Sequence, residues 1–474
     1  MPKLRLIAAC CLPLWLAACA ITPPPSSVTA DVPAQWQAPL PHNGTLAGLN
    51  HWWQSLGDPL LVQLIDAAEA VSPTVASARS RIEQSRATRT AAGAALLPTL
   101  DGSLSASRGV TQPGFPVATT GQAALQASWE IDLFGRNRAA SSAAQARLEG
   151  TQALWHDARV SVAAEVANQY FSLRTCERQV VVAQGDAQSR AETSRLADLA
   201  TRAGFQAPAN AALARASAAE SAGRLTQQRA LCDIDVKALV ALTALPEPEL
   251  RQKLAGAAAV PAPPIEISAL PAQTLAQRPD VFNAEREVAA ASAEVGSTQA
   301  QRYPRLSLQG AVGVANFRTG GDNTKLDTWT IGPVALTLPI FDAGRRAANT
   351  DAARARYDNA VVAYRAVARQ AVREVEQALV SLRSTAQRSD DAQVALDGNR
   401  YSFRATEDLY KNGLASLLQL EDARRTLLTA ETSRVSLQQE RMAAGVALYR
   451  AMGGGWTPAL APLQARATAG QASA

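Results

Sequence analysis

Four short segments of the chain alternate between apolar and polar residues, which is the pattern of a β-strand with one apolar and one polar face. In the first two segments the apolar positions are Leu100, Leu104, Ala123, Leu125, Trp129 and Ile131. The pattern predicts strands at about 97–111, 119–134, 305–318 and 328–341. The alternation in the fourth segment slips near Pro333, which predicts a bulge there.

Two long proline-free segments follow the strand pairs, at about 136–202 and 344–412, and predict long helices. Both are rich in Ala, Gln, Arg and Glu, which are strong helix formers. Apolar residues recur every seven positions in the second segment, as in a coiled coil. These residues are Val361, Ala368, Val375 and Leu382. A turn at Gly204 or Gly413 precedes a returning helix, at 208–245 or 416–452, so two antiparallel helical hairpins are predicted.

The same elements occur twice along the chain. Gly204 and Gly413 are separated by 209 positions, and so are Ile131 and Ile340, Gly135 and Gly344, and Arg215 and Arg424. We therefore interpret 51–245 and 279–456 as two copies of one unit. A proline-rich linker at 246–278 joins them, and 457–474 forms a C-terminal tail.

The first residues predict export from the cytoplasm. Lys3 and Arg5 precede a short apolar run, so 1–18 is interpreted as a signal peptide. The run ends in Leu16-Ala17-Ala18-Cys19, which resembles a bacterial lipobox. Cys19 is then the lipidated N-terminus, carrying diacylglycerol and palmitate, and 19–50 is a tether. The alternative is an ordinary signal peptide with an incidental cysteine.

No other segment approaches the 18 or so consecutive apolar residues of a membrane-spanning helix. If the chain crosses a membrane, it must therefore do so with strands. Each copy of the repeat has only two such strands, whereas a membrane barrel needs at least about eight. Three chains would supply twelve strands, so a homotrimer is favoured, although counting alone leaves a dimer open.

In this barrel the polar faces of the strands would line a wet lumen and the apolar faces would meet outer-membrane lipid. The polar set is Asp101, Ser103, Gln126 and Glu130, and the apolar set is Leu104, Leu125, Trp129 and Val312. The alternative is a soluble β-sandwich with a separate coiled coil, since alternation alone is a weak signal.

Composition and charge argue against other classes of function. The net charge is +5, but the 46 basic residues are scattered among 41 acidic ones, so nucleic-acid binding is not expected. The three histidines, His42, His51 and His156, are widely spaced, and the common catalytic motifs are absent from the sequence. We therefore expect neither an enzyme nor a metal site.

Several motifs, in order, resemble the TolC-like outer-membrane efflux proteins of the NodT or OprM lipoprotein type. They are Trp52-Trp53 with Asp58-Pro59-Leu60, Arg278-Pro279-Asp280-Val281 with Ala284-Glu285-Arg286, Leu338-Pro339-Ile340-Phe341-Asp342-Ala343-Gly344-Arg345, and Gly453-Gly454-Gly455-Trp456. Gln277 departs from the family signature, which has Arg there. The resemblance covers nearly the whole mature chain.

The resemblance implies a mainly α fold with membrane β-strands. Its expected form is a trimeric twelve-strand β-barrel, four strands per chain, that continues into a periplasmic α-helical barrel with an equatorial belt that includes the 246–278 linker. The expected function is the outer-membrane duct of a tripartite efflux system for drugs, toxic compounds or metals. Expected partners are a periplasmic adaptor, contacted at the hairpin tips Gly204 and Gly413, and an inner-membrane pump of the resistance-nodulation-division type.

The segment 410–424 resembles the region that closes the duct in this family. The resemblance implies that Leu418 forms an apolar ring, that Asp422 forms a carboxylate ring, and that Tyr410 ties neighbouring helices by a hydrogen bond. Some relatives carry a second Asp where Gln419 stands, which implies a weaker cation-binding ring here. Alternatively, Asp422 is a solvated helix charge and Leu418 a residue of the helix seam.

Two other functions share parts of this pattern. A type I protein-secretion duct would have the same architecture, and the sequence does not show which cargo moves. A periplasmic adaptor lipoprotein also has a coiled-coil hairpin, but only one per chain, so the duplication argues against it.

Cys176 and Cys232 are the only cysteines of the mature chain besides Cys19, and each lies 28 positions from Gly204. Antiparallel helices that turn at Gly204 would bring the two thiols to the same level, on apolar stripes. Because the periplasm is oxidising, the spacing predicts a disulfide. The alternative is two small buried side chains that never bond.

Overall fold

The computed structural model describes residues 21–30, 32, 33, 36, 37, 52–110, 116–256, 275 and 278–456. The helices of these residues are α1 Trp52–Ser55, α2 Pro59–Val71, α3 Pro73–Ala94, α4 Arg136–Arg202, α5 Pro208–Thr243, α6 Glu247–Ala255, α7 Pro279–Ala300, α8 Arg345–Lys411 and α9 Leu417–Ala451. The strands are β1 Thr99–Gly109, β2 Ala118–Ile131, β3 Arg305–Thr319 and β4 Asp322–Thr337. A 3-10 turn at Gly453–Gly455 follows α9.

The two long predicted helices are present, and each has 67 residues. The returning helices α5 and α9 are present as well, so each copy of the repeat has a helix pair after its strand pair. Among the described helices, none combines the length and the apolar character needed to cross a bilayer.

The four strands form one antiparallel sheet in the order β1-β2-β3-β4. The prediction for β4 was wrong at both ends, because the strand covers Asp322–Thr337 and not 328–341. Gly320 and Gly321 both have positive φ and form a two-residue hairpin loop, which lets β4 pair directly after β3. The strand ends before Pro339, which has no N–H to donate to a ladder.

The predicted bulge near Pro333 is present in the pairing of β3 with β4. Leu308 pairs with Val334 and Gly310 pairs with Ile331, so two residues of β4 lie opposite one residue of β3. The extra residue restores the phase of the alternation. Val334 and Ile331 therefore lie on the same face, although their numbers differ by an odd count.

The register places the alternating residues on two distinct faces of the sheet. Leu125 pairs with Val312, and Val312 pairs with Trp329, so these residues share one face. Asp101 pairs with Gln126 on the other face. The large apolar side chains of the first face are exposed in the single chain, among them Leu100, Leu104, Val312, Trp329, Ile331 and Leu336. This sheet therefore has an apolar face that the chain itself leaves uncovered.

The chain divides into two compact units, and each takes residues from both copies of the repeat. The first unit contains the described residues of 1–30 together with Ser80–Ala153 and Phe282–Val367. The second contains Asp31–Arg79, Leu154–Val281 and Ala368–Ala474, again as far as these are described. The compact units therefore cut across the sequence repeats, because α4 and α8 each contribute to both units.

The second unit has the main apolar core. Its fully buried large side chains include Leu61, Leu64, Tyr170, Leu173, Leu239, Leu448 and Met452. Asp58 begins α2, because its Oδ1 accepts hydrogen bonds from the N–H groups of Leu60 and Leu61. Its Oδ2 accepts a 2.5 Å hydrogen bond from Tyr170 Oη, and burial together with this bond raises the pKa of Tyr170. The Asp58-Pro59-Leu60 motif is thus a helix start that is fixed to the core.

Candidate functional site at the hairpin turns

The turns at the ends of the two hairpins have the same backbone conformation. Gly204 and Gly413 have φ of +78° and +75°, which an L side chain rarely adopts. In each turn the next residue donates a 2.8 Å bond back into the preceding helix, from Phe205 N to Ala200 O and from Leu414 N to Leu409 O. This repeated helix ending explains why glycine recurs at a spacing of 209.

The helix that follows the second turn begins with a side-chain cap. Ser416 Oγ accepts from Gln419 N at 3.2 Å, and Gln419 Oε1 accepts from Ser416 N at 2.8 Å. This is a capping box, and the residues before α5 have no comparable side-chain cap. The Gln419 side chain is therefore engaged by its own helix.

Of the three predicted gate residues, Leu418 and Asp422 are exposed in the single chain, whereas Tyr410 packs against neighbouring side chains. Leu418 is 73% exposed, and the Asp422 side chain, 61% exposed, pairs with Arg425. Because they are four residues apart on α9, they lie on one face of that helix. Tyr410 packs against an alanine-rich cluster, and its Oη accepts a 3.4 Å hydrogen bond from Gln206 Nε2 in the first turn. This hydrogen bond joins the second hairpin to the first within one chain.

The opposite face of α9 carries a buried ion network that the sequence reasoning missed. Arg424 is 3% exposed and donates to Glu421 Oε1 at 2.5 Å and to Thr193 Oγ1 at 2.8 Å. Glu421 also pairs with Arg190, which donates to Asp186 Oδ1 at 2.8 Å. Burial lowers the pKa of Arg424, and the nearby Glu421 carboxylate opposes that shift.

One signal for this network was visible in the sequence. The spacing of Asp186 and Arg190 is that of a helical ion pair, whereas Arg424 stands out only as the counterpart of Arg215 at a spacing of 209 and as the end of the 410–424 segment. Glu421 and Asp422 are adjacent, so one carboxylate faces the network and the next faces outward. The first turns of α9 therefore have one face held by α4 and one face free to meet another surface.

Arg278, the first residue of the Arg-Pro-Asp-Val motif, joins three segments of the second unit. Its guanidinium donates to Asp280 Oδ2 at 2.6 Å, to Glu374 Oε2 at 2.9 Å and to the carbonyl oxygen of Ala451 at 2.9 Å. The side chain is only 8% exposed. The motif therefore fixes the start of α7 to α8 and to the end of α9, beside the Gly453-Gly454-Gly455-Trp456 segment. Gln277, which stands where the family signature has Arg, lies outside the described residues.

Cys176 and Cys232 are joined by a disulfide between α4 and α5, with their Cα atoms 5.5 Å apart. Cys176 lies 28 residues before Gly204 and Cys232 lies 28 residues after it, and this spacing predicts the bond. It cross-links the first hairpin and not the second.

The remaining predictions are lipidation of Cys19 and the expectation that the three histidines form no metal site. Cys19, His42 and His51 lie outside the described residues. His156 stacks edge-on against Trp155, and burial followed by the charge of Arg159 lowers its pKa. The described residues contain no group of His, Cys, Asp and Glu that could hold a metal ion.

Comparison with known proteins identifies the family. The model of the family described as outer membrane efflux protein matches residues 64–245 and 270–454. The chain is 30% identical to the pyoverdine export outer membrane protein OpmQ of Pseudomonas putida, over 94% of this chain and 97% of that protein. It is 28% identical to the toluene efflux pump outer membrane protein TtgI, from another strain of Pseudomonas putida, over 94% and 97%.

Solved structures show the same fold. The open-state MtrE outer membrane channel of Neisseria gonorrhoeae has a TM-score of 0.77 at 26% identity, covering 93% of this chain and 99% of that one. The CmeC outer membrane channel of Campylobacter jejuni has a TM-score of 0.81 at 24% identity, covering 93% and 96%.

The chain belongs to the outer membrane efflux protein family. The predicted fold class and outer-membrane location are confirmed, and so is the assignment to the NodT and OprM type. The chain is an outer-membrane channel component of an efflux system. Members of this family are channels.

Proposed function

We propose that three copies of the chain close into one passive duct through the outer membrane. The observation that carries this proposal is the four-stranded sheet, whose outer strands β1 and β4 each pair on one side only within the described residues. Unpaired strand edges cannot be left in lipid, and the apolar face of the sheet needs a nonpolar surrounding. Three sheets joined edge to edge satisfy both requirements with twelve strands.

The cargo that we propose is a small molecule, delivered by an inner-membrane pump of the resistance-nodulation-division type through a periplasmic adaptor. Similarity to outer membrane proteins of pyoverdine export and of a toluene efflux pump supports small-molecule export. The chain itself would catalyse no reaction. The hairpin tips at Gly204 and Gly413 would contact the adaptor, and the shared backbone conformation of the two turns supports a common role for both tips.

Loss of the gene tests this function directly. A deletion strain should become several-fold more susceptible to at least one class of small toxic compounds, and the wild-type gene should restore resistance. An unchanged susceptibility profile together with the loss of a secreted protein would instead identify a protein-secretion duct.

We further propose that the exposed face of α9 closes the duct at rest. Three copies would bring Leu418 into an apolar ring and Asp422 into a carboxylate ring one turn away. The buried network of Arg190, Glu421 and Arg424 supports this role, because it holds the opposite face of the same helix in place.

Asp422→Ala should make the closed duct several-fold more conductive to ions in a planar bilayer. The substitution removes a charged ring and the ion pair with Arg425. Asp397→Ala is the matched control, because Asp397 is equally exposed and also faces an arginine three residues later. Equal conductance of the Asp422→Ala and Asp397→Ala channels at several voltages would argue against the gate assignment.

We propose that Cys19 carries the N-terminal lipid and anchors the chain in the outer membrane. Cys19→Ser should abolish labelling of the protein by radioactive palmitate, measured after immunoprecipitation. Cys10→Ser is the control, since Cys10 also follows an apolar residue and two alanines but leaves no room for a signal-peptide core. Label that persists in the Cys19→Ser protein would refute the lipid site.

A further inference from the structure

The N-terminal segment 21–30 lies against α7 and α8 within the first unit. The carbonyl oxygen of Pro24 accepts a 2.5 Å hydrogen bond from Ser292 Oγ, and that of Pro25 accepts a 2.9 Å hydrogen bond from Tyr357 Oη. Proline has no backbone N–H, so the carbonyl is its one backbone hydrogen-bonding group. Both carbonyls are satisfied by side chains of the helices.

The packing beneath the segment is close. A Cβ built on Gly296 would lie 3.5 Å from Pro23 Cβ, which is van der Waals contact distance, so Pro23 packs directly over Gly296. Ser292 is four residues before Gly296, which places both on one face of α7. Further along, Val28 packs against the apolar cluster of Val288, Ala291, Val295, Ala353 and Tyr357. Ser292, Gly296 and Tyr357 with this cluster are here named the tether dock.

The order of these contacts fixes the direction of the segment. Pro23 meets Gly296, and Pro24 meets Ser292, so the chain runs antiparallel to α7. Its N-terminal end therefore points to the C-terminal end of α7 at Ala300, and β3 begins shortly after, at Arg305. Pro23 is four positions after Cys19, and a chain of that length spans at most about 14 Å. The rise from Gly296 to Ala300 is about 6 Å, which is well within that reach.

We propose that the tether dock sets the position of the lipid anchor, and holds it beside the base of the sheet. This inference rests on the proposed lipidation of Cys19. The lipid on Cys19 and the strands of the sheet enter the same bilayer, and two linked membrane contacts reinforce each other most when the link between them is short. The rest of the N-terminal segment, after the dock, then has no part in placing the lipid.

An insertion on the C-terminal side of the tether dock tests this role. Spin labels at Thr22→Cys and Arg302→Cys would report the distance between the lipid end of the tether and the base of β3, since both positions are exposed and lie in the first unit. An insertion of eight Gly and Ser residues after Ala30 should leave this distance distribution narrow, because the dock lies before the insertion. Combined with Ser292→Ala and Tyr357→Phe, the same insertion should broaden the distribution several-fold.

The control combines the insertion with Thr298→Ala and Tyr364→Phe. Among the described residues, the Thr298 hydroxyl donates only to the carbonyl oxygen of Val295 in its own helix. Tyr364 packs against the apolar cluster of the dock, but phenylalanine keeps that ring and removes only the hydroxyl, so the contact between the cluster and Val28 is preserved. This control should keep the narrow distribution. A distribution that broadens with the insertion alone, or that stays narrow in the dock variant, would overturn the proposal. Palmitate labelling is read separately, so an unlipidated protein with a narrow distribution would refute the anchoring role and keep the proposed channel intact.

Discussion

Arg278→Met should lower the free energy of unfolding by about 3 kcal/mol, one of the largest effects that we expect from a single substitution in this chain. The guanidinium is nearly buried and is shared by Asp280, Glu374 and the carbonyl oxygen of Ala451. Removing it leaves two carboxylates near each other without their cation, and frees the end of α9. Both carboxylates keep some access to solvent, which places the effect at the lower end of the range for broken buried pairs. Thermal unfolding of the purified protein measures this effect.

Two other variants separate the role of the network from the loss of any arginine. Arg388→Met removes an exposed arginine that pairs with Glu440, and should cost at most about 1 kcal/mol. Arg278→Lys keeps the charge but loses the planar fork, so its stability should fall between wild type and Arg278→Met. If Arg278→Met and Arg388→Met unfold at the same temperature, Arg278 does not hold these segments together.

Replacing both Cys176 and Cys232 by Ser should lower the free energy of unfolding by up to roughly 4 kcal/mol, because the bond closes a loop of 56 residues. The cross-link lies far along the helices from the residues Leu418 and Asp422. We therefore expect export, and the conductance of the closed channel, to remain at wild-type levels. Thermal unfolding and the susceptibility of a complemented deletion strain measure the two effects.

Chemical reduction provides the control for this pair. Wild-type protein treated with a reductant should unfold at nearly the temperature of the double serine variant, and the reductant should not change the variant itself. Thiol labelling of denatured, unreduced protein should find neither Cys176 nor Cys232 reactive. Two reactive thiols per chain would refute the disulfide.

The helices were predictable from the sequence because their signals are local. Proline-free runs of helix formers extend over α4 and α8, and a glycine ends each. The start of β4 was not predictable in this way, since residues 322–327 are polar apart from Leu326 and do not alternate. That part of the strand forms because the Gly320-Gly321 loop brings it beside β3, which is a constraint from outside the segment.

The candidate site was only partly predictable, for a related reason. Leu418, Asp422 and Tyr410 came from resemblance to a family, and their spacing suggested one helix face for the first two. The spacing of Asp186 and Arg190 indicates a helical ion pair, but the link from Arg190 to Glu421 joins residues more than 200 positions apart, so no local pattern reveals it. The tether dock was missed because the sequence shows the prolines as a spacer, whereas their carbonyl groups bind side chains of distant helices.

The covalent cross-link is confined to one of the two duplicated hairpins. In the first hairpin, α4 and α5 are bonded at Cys176 and Cys232, whereas the second is held by non-covalent contacts such as the ion pair of Arg388 and Glu440. The bond fixes the level of α4 against α5, so these two helices cannot slide past each other while it is intact. No such bond joins α8 to α9, so the duplicated copies differ in a mechanical constraint that selection can adjust in one copy without altering the other.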